Sequence, residues 1–433
     1  MTSLPNSPAA GVVSPEPDAP AWLVSAASLL TLRRLRAQAI VLALCLWGVC
    51  AIDFAAPGLF DRAGNIKFQD FLPVYVSARL VAEHRASELY NPQSIAVETK
   101  QIIHEPTRVV LPNLYGPQVA FFFTPLARFS FQSAARIWVA LSTATFFACI
   151  VLIWKSCPAL YPHAELVFIS ALAFPPLFHF FVRGQISALP LACFTAAFLA
   201  FHAERNWIAG IALGFLVLKP QFLVAVPLVL LLSLSWKALG GLALSAAAQL
   251  GFAQLYFGTA VMRSYFDMLR HVPRWIADAE LSLAPIQMHS LRSFWTLLIP
   301  YTTAAIVLYA LSSCVAIAIA ATIWKSSAPL AIRFSALTLA AVLVNPHLFV
   351  YDLLVLAPVF LLLANWTLTH ESPAAFRLLL YLAFVTPLLG PLSQWTHLQL
   401  SVPVFFALLY SLRKTPGHSS DASRLDSTES RVV

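Results

Sequence analysis

The sequence predicts an all-α protein that crosses a membrane about twelve times. Three observations lead there. Of the 433 residues, 59% are hydrophobic and only 11% are charged. Long apolar runs follow one another through most of the chain. Basic residues collect at alternate ends of those runs, as expected where positive charge stays on the cytoplasmic side. A crossing helix needs about 20 apolar residues, so twelve use about 240 and leave one loop large enough to carry structure.

The net charge of +8 lies at helix ends rather than in one patch, which argues against nucleic acid as a partner. Cys45, Cys50, Cys149, Cys157, Cys193 and Cys314 lie in or beside apolar runs without paired metal-ligand spacing, so neither a disulfide framework nor a metal site is expected. The chain has no Gly-rich phosphate loop, Walker lysine or nucleophile elbow, so no cofactor is indicated.

In order, residues 1–20 are rich in Pro, Ser and Ala and are expected to be disordered. They carry no basic charge ahead of an apolar run and do not read as a signal peptide. Residues 21–32 are expected on the membrane surface, completing an N-terminal segment 1–36. Arg33, Arg34 and Arg36 mark the cytoplasmic end of a first span at 37–56, which opens a transmembrane domain, 37–412. The first loop, 57–117, is then outside. Its charges balance: Arg62, Lys67, Arg79, Arg85, Lys100 and Arg108 stand against Asp61, Asp70, Glu83, Glu88, Glu98 and Glu105. From Phe71, the residues Val74, Tyr75, Ala78, Val81 and Ala82 recur at helical spacing. This predicts an amphipathic helix along the membrane surface with Asp70 in its first turn. The aromatic run from Phe121 to Phe123, closed by Thr124-Pro125-Leu126, is too short to span and reads as re-entrant.

Further spans are expected at 133–154, 164–182, 186–203, 206–219, 220–235, 238–257, 302–324, 329–346, 348–365, 376–391 and 397–412. Lys155, Arg205, Lys237, Lys325 with Arg333, Arg377, and Arg413 with Lys414 then fall on the cytoplasmic face, and so do both termini, with a disordered tail at 413–433. The remaining polar groups fall on the opposite face: Asp70, Arg183-Gly184-Gln185, Lys219-Pro220-Gln221, a loop at 258–293, and Asn345-Pro346-His347 with Asp352 beyond it. Ionisable groups at membrane depth cost about 2.5–3.5 kcal/mol on insertion scales and mark a site by default.

Each of these residues also has a plainer role open to it. Asp70 serves either as a helix N-cap or as a catalytic base. Arg183 and Lys219 are either snorkelling side chains or cations facing a substrate. His347 and Asp352 are five residues apart and fall on different faces of a helix, so a contact between spans competes with a binding role. Asp278 and Glu280 resemble a paired acid motif only weakly, since loop acids are usually solvated.

Taken together, a series of short motifs resembles glycosyltransferase family 87. In the front half these are Asp70-Phe71 with Tyr75 and Ala78, Leu89-Tyr90-Asn91, Tyr115-Gly116-Pro117, Pro125-Leu126-Ala127, and Ala135 with Trp138. Gly184-Gln185, Gly210 with Gly214, Lys219-Pro220-Gln221, and Pro346-His347 with Tyr351-Asp352 follow. The resemblance covers about residues 40–365. It departs from the family at Ser187, where an Asn is common, and at Tyr115-Gly116-Pro117, where Tyr-Pro-Pro is usual.

The resemblance implies a GT-C fold and a cell-membrane enzyme with an extracytoplasmic site. That enzyme would move a hexose, mannose in the best understood relatives, from a polyprenyl-phosphate carrier to a glycolipid or glycan acceptor. It places the base at Asp70 and a phosphate-facing histidine at His347, with Arg183 and Lys219 as further candidates for the carrier phosphate. Tyr75, Tyr115, Gln185, Gln221, Tyr351 and Asp352 are the candidate substrate contacts. Independently, a chain with no cytoplasmic domain able to hold a nucleotide sugar most simply receives an activated sugar through the lipid bilayer. The alternative is a lipid-linked sugar transporter or flippase, which also uses broken helices and midplane polar groups.

Overall fold

The computed structural model describes residues 20–103, 113–283 and 287–414, with the side chains of 272–283 left aside. Glu105, Arg108, the side chains of Asp278 and Glu280, and the terminal segments 1–19 and 415–433 lie outside what is described. Helix makes up 81% of the structure, and no strand forms among the described residues. Six helices are long and apolar enough to cross a membrane: Leu32–Phe54, Phe131–Trp154, Trp236–His271, Thr302–Lys325, Val350–Thr369 and Ala374–Thr396. A pair bent by 46°, Pro158–Leu172 with Pro175–Arg183, makes a seventh if it is one span. The protein is therefore a multi-pass membrane protein.

Every span read from the sequence is helical in whole or large part, but length singles out only these six or seven. Ala188–His202, Asn206–Leu218, Pro220–Leu232 and Leu330–Leu343 are apolar helices of 10–17 residues. At 1.5 Å per residue, a 15-residue helix covers about 22 Å of a core about 30 Å thick.

The chain begins with α1 (Ala21–Ser28) and α2 (Leu32–Phe54). The C-terminal end of α2 is closed by Lys67, whose Nζ donates to the carbonyls of Phe54 (3.2 Å), Ala56 and Gly58 (3.3 Å). A cation there satisfies orphan carbonyls and complements the helix dipole, anchoring the first loop to its span. The loop then forms α3 (Leu72–Ala82) and α4 (Pro92–Ile103). Five of its charges pair with one another. Arg85 binds Glu88 (2.8 Å), Glu83 (3.0 Å) and the buried Glu98 (2.5 Å), and Arg79 binds Glu83 (2.9 Å). Hydrogen bonds from Arg85 hold the Glu88 carboxyl down at about 2.

Helix α3 differs from the expected interfacial helix. Leu72, Val74, Tyr75, Val76, Ala78, Leu80 and Val81 are all buried, so apolar side chains go inside on every face. The helix is covered by α4, by α5 (Pro117–Phe123) and by the 3-10 segment Thr124–Arg128, which together form the segment expected to be re-entrant. It is the core of the first loop, with its apolar side chains covered by protein.

Beyond α6 (Phe131–Trp154), the helices α7 (Ala164–Leu172) and α8 (Pro175–Arg183) lead into α9 (Ala188–His202) and α10 (Asn206–Gly214). Helix α10 lies backbone to backbone on α12 (Trp236–Leu283). A Cβ on Gly210 would come 2.0 Å from the Ala238 carbonyl oxygen, so no larger residue fits there. Between them the chain breaks at Lys219 and re-forms as α11 (Val226–Leu232). Helix α12 breaks at Gly258 (φ 81°, ψ 169°). After α13 (Leu291–Leu298) and α14 (Thr302–Lys325), α15 (Leu330–Leu343) ends at the polar segment 344–349. The 3-10 helix Val350–Leu356 and α16 (Ala357–Thr369) then begin the next span.

Candidate functional site

Four interruptions of the helical structure converge. The first is the 3-10 turn Gln69–Phe71 ahead of α3, which carries Asp70. Asp70 is not a cap: Phe71 holds the N-cap position of α3, and no side chain bonds the helix end there. Instead its carboxylate crosses to the second interruption, where Gln185 Nε2 donates to Asp70 Oδ2 at 3.0 Å. Gln185 Oε1 accepts from the Tyr115 hydroxyl (3.3 Å) and from the Ile186 N–H (3.2 Å). Trp138, stacked on Phe71 at 6.2 Å, donates its indole N–H to the Gln185 carbonyl at 3.2 Å.

Gly184 lets this happen. It ends α8 in the left-handed region (φ 69°), and a Cβ would stand 2.9 Å from Phe68 Cβ and 3.2 Å from Phe71 Cβ. The turn that aims Gln185 at Asp70 therefore needs both the positive φ and the missing side chain. Gly184→Ala is expected to destabilise by about 1–2 kcal/mol and to lower turnover by about 100-fold through displacement of the site. Gly64 shares the positive φ (80°) with nothing within 4 Å. Gly64→Ala is expected to lose comparable stability but keep its rate, and melting curves with rates on the two variants check this.

The third and fourth interruptions supply Lys219 and Asp352. Ser187 Oγ donates to Asp352 Oδ1 at 2.8 Å, Lys219 Nζ donates to Ser187 Oγ at 2.9 Å, and Lys219 ion-pairs with Asp352 Oδ1. The Phe349 N–H donates to Asp352 Oδ2 at 3.4 Å, and Lys219 Nζ lies 5.3 Å from the centre of the Tyr351 ring. Lys219 is 2% exposed and Asp352 1%, so the lysine points inward and does not snorkel. The two groups form one site, because Gln185 and Ser187 are two residues apart and the Tyr351 hydroxyl lies in the field of Asp70, Asp352, Tyr115 and Arg183.

Arg183 is half-buried at the end of α8 and pairs with no carboxylate among the described residues. His347, between α15 and the next span, faces both Asp352 and Lys219. Burial pushes its imidazole down to about 4, Lys219 adding to this and Asp352 opposing it. An imidazole held that low is neutral near pH 7. Burial, with Asp352 and Asp70 nearby, raises the Tyr115 hydroxyl well above its ordinary range, which keeps it a donor.

Two expected contacts lie apart from the cluster. Tyr75 turns its hydroxyl to the Phe129 carbonyl (2.6 Å) and packs on Phe131, a structural anchor for α3. Gln221 is half-buried and joins none of the cluster's hydrogen bonds. Conversely, Ser187 sits at the centre of the ion pair, although in sequence it stood out only as a departure from the usual Asn. His289 also escaped notice. It is fully buried, bonds Ser401 Oγ at 2.7 Å, and takes its backbone N–H to the Leu348 carbonyl (3.0 Å), tying the segment before α13 to the break that carries His347. A lone histidine carried no spacing signal.

No curated protein and no solved structure matches the chain. The profile of glycosyltransferase family 87 matches residues 113–350, which takes in Tyr115, Arg183, Gln185, Lys219, Gln221 and His347. Asp70 stands before the matched region, and Tyr351 and Asp352 just after it. Since the match spans more than half of the chain, this multi-pass membrane protein belongs to glycosyltransferase family 87 and is a glycosyltransferase.

Proposed function

We propose that the chain transfers a hexose, with mannose the first candidate, from a polyprenyl-phosphate carrier to a glycolipid or glycan acceptor. The reaction would take place on the extracytoplasmic face of the cell membrane, within a GT-C fold of about twelve spans with both termini cytoplasmic. The observation that carries this reading is the half-buried Asp70 carboxylate. One of its oxygens is held by Gln185, and the other, Oδ1, is in no hydrogen bond among the described residues.

Such a carboxylate suits one step well. As the acceptor oxygen attacks C1 of the sugar, its O–H bond breaks and the proton passes to Asp70 Oδ1. The C1–O bond to the carrier breaks in the same displacement, and its electron pair leaves with the lipid phosphate. A single displacement inverts the anomeric centre and needs no covalent nucleophile. Arg183 supplies positive charge to the departing phosphate, and neutral His347 and Tyr115 supply hydrogen bonds. Lys219 has a different part, since its charge is already balanced by Asp352.

The purified protein should move label from polyprenyl-phosphate-[3H]mannose to a membrane-lipid acceptor, releasing one polyprenyl phosphate per sugar transferred. Label arriving only from a soluble sugar nucleotide would overturn the reading. So would carrier that changes leaflet in vesicles with no new covalent bond, the behaviour of a flippase.

A further inference from the structure

Gln185 has so far been a neighbour of Asp70, but its amide is more constrained than a contact requires. Two donors, the Tyr115 hydroxyl and the Ile186 N–H, converge on Oε1 at 3.3 and 3.2 Å. Turning the amide over would set its NH2 against both donors and its oxygen against the Asp70 carboxylate, losing three hydrogen bonds at once. The carbonyl of the same residue is held by Trp138 (3.2 Å), and its backbone direction is set by Gly184. Every freedom of Gln185 is removed, and the result is one N–H aimed at Oδ2 of Asp70.

We propose that Gln185 is the positioning residue of the catalytic base. Oriented by Tyr115, its amide N–H occupies Oδ2 of Asp70 and turns Oδ1 alone toward the acceptor hydroxyl. The inference rests on the reading of Asp70 as the base. It assigns Gln185 and Tyr115 to the base rather than to direct substrate contact. The other titratable groups in the field of this carboxylate are Tyr115 ahead of α5 and Tyr351 on the 3-10 helix, and the Tyr351 hydroxyl in turn lies in the field of Asp352 and of Arg183 on α8.

The test is the pH dependence of transfer by Gln185→Glu, which keeps the shape and replaces the donating NH2 with a second carboxylate oxygen. Two carboxylates at hydrogen-bond distance share a proton, so the base stays protonated to higher pH. The acid limb of the rate profile, where activity falls as pH falls, should move up by more than about one pH unit. A Gln185→Glu profile that superimposes on the parent's, at any height, overturns the proposal.

Tyr115→Phe gives a second reading that does not depend on how Gln185→Glu folds. Removing one orienting donor should lower kcat by about 3- to 10-fold with KM for the acceptor unchanged. A rise in KM at constant kcat would make Tyr115 a substrate contact and remove it from the relay. Failure of the parent to transfer sugar from any lipid-linked donor would instead sink the proposed function, and the two failures are told apart by the parent's own activity.

Discussion

Lys219→Met should lose about 3–5 kcal/mol of stability, the usual result of leaving one member of a buried ion pair without its partner. That is a large part of the 5–15 kcal/mol that separates folded from unfolded domains. The stranded group would be Asp352, 1% exposed in the first turn of a membrane helix and left with the Ser187 hydroxyl and one long backbone contact. Replacing both charges reverses most of the damage, because a buried pair exchanged for apolar groups of similar volume is often neutral or stabilising. Lys219→Met with Asp352→Leu should therefore recover the parent's yield of monodisperse protein after detergent extraction, and most of its melting temperature. Equal losses in the single and double variants would show that the pair does not support the fold. The double variant also separates two roles for Lys219. Recovery of transfer along with folding makes the pair a clamp between the break at Lys219 and the 3-10 helix at Val350–Leu356. A well-folded but inactive protein means that the pair takes part in the reaction beyond holding the fold.

The positions of these residues were legible in the sequence, and their partnerships were not. Gln185, Lys219, His347 and Asp352 stand out because polar groups that interrupt apolar runs are expensive to bury and are kept for a reason, and Asp70 because it opens the helix of the first loop. What they bind is set by tertiary contacts across 115, 133 and 165 residues of chain. No periodicity or short motif encodes such distances. Lys219 therefore read as a substrate-facing or snorkelling cation when its charge is already balanced. Tyr75 shows the converse: five residues from Asp70 along the chain, it is carried round the helix to Phe129.

The same limit applied to the fold. The apolar runs announced the helices, but a run such as Ala188–His202 reads alike whether the helix crosses the bilayer or stops short within the protein. The first loop misled in another way. The helical spacing from Phe71 suggested an amphipathic helix on the membrane surface, while in the structure its apolar side chains are buried against α4, α5 and the 3-10 segment that follows.

The central claim is that Asp70 takes the proton from the acceptor, and single-turnover transfer by Asp70→Asn from a polyprenyl-phosphate-linked sugar tests it most directly. Asn has nearly the size of Asp and removes only the carboxylate. The capping role that would make the exchange harmless is excluded by the geometry of the turn, where no side chain caps α3. The variant should fold and extract like the parent, with its amide oxygen still able to accept from Gln185. It should transfer sugar about 100- to 10,000-fold more slowly, the range ascribed to a positioned general base. Well-folded Asp70→Asn protein that transfers at near the parent rate would contradict the account.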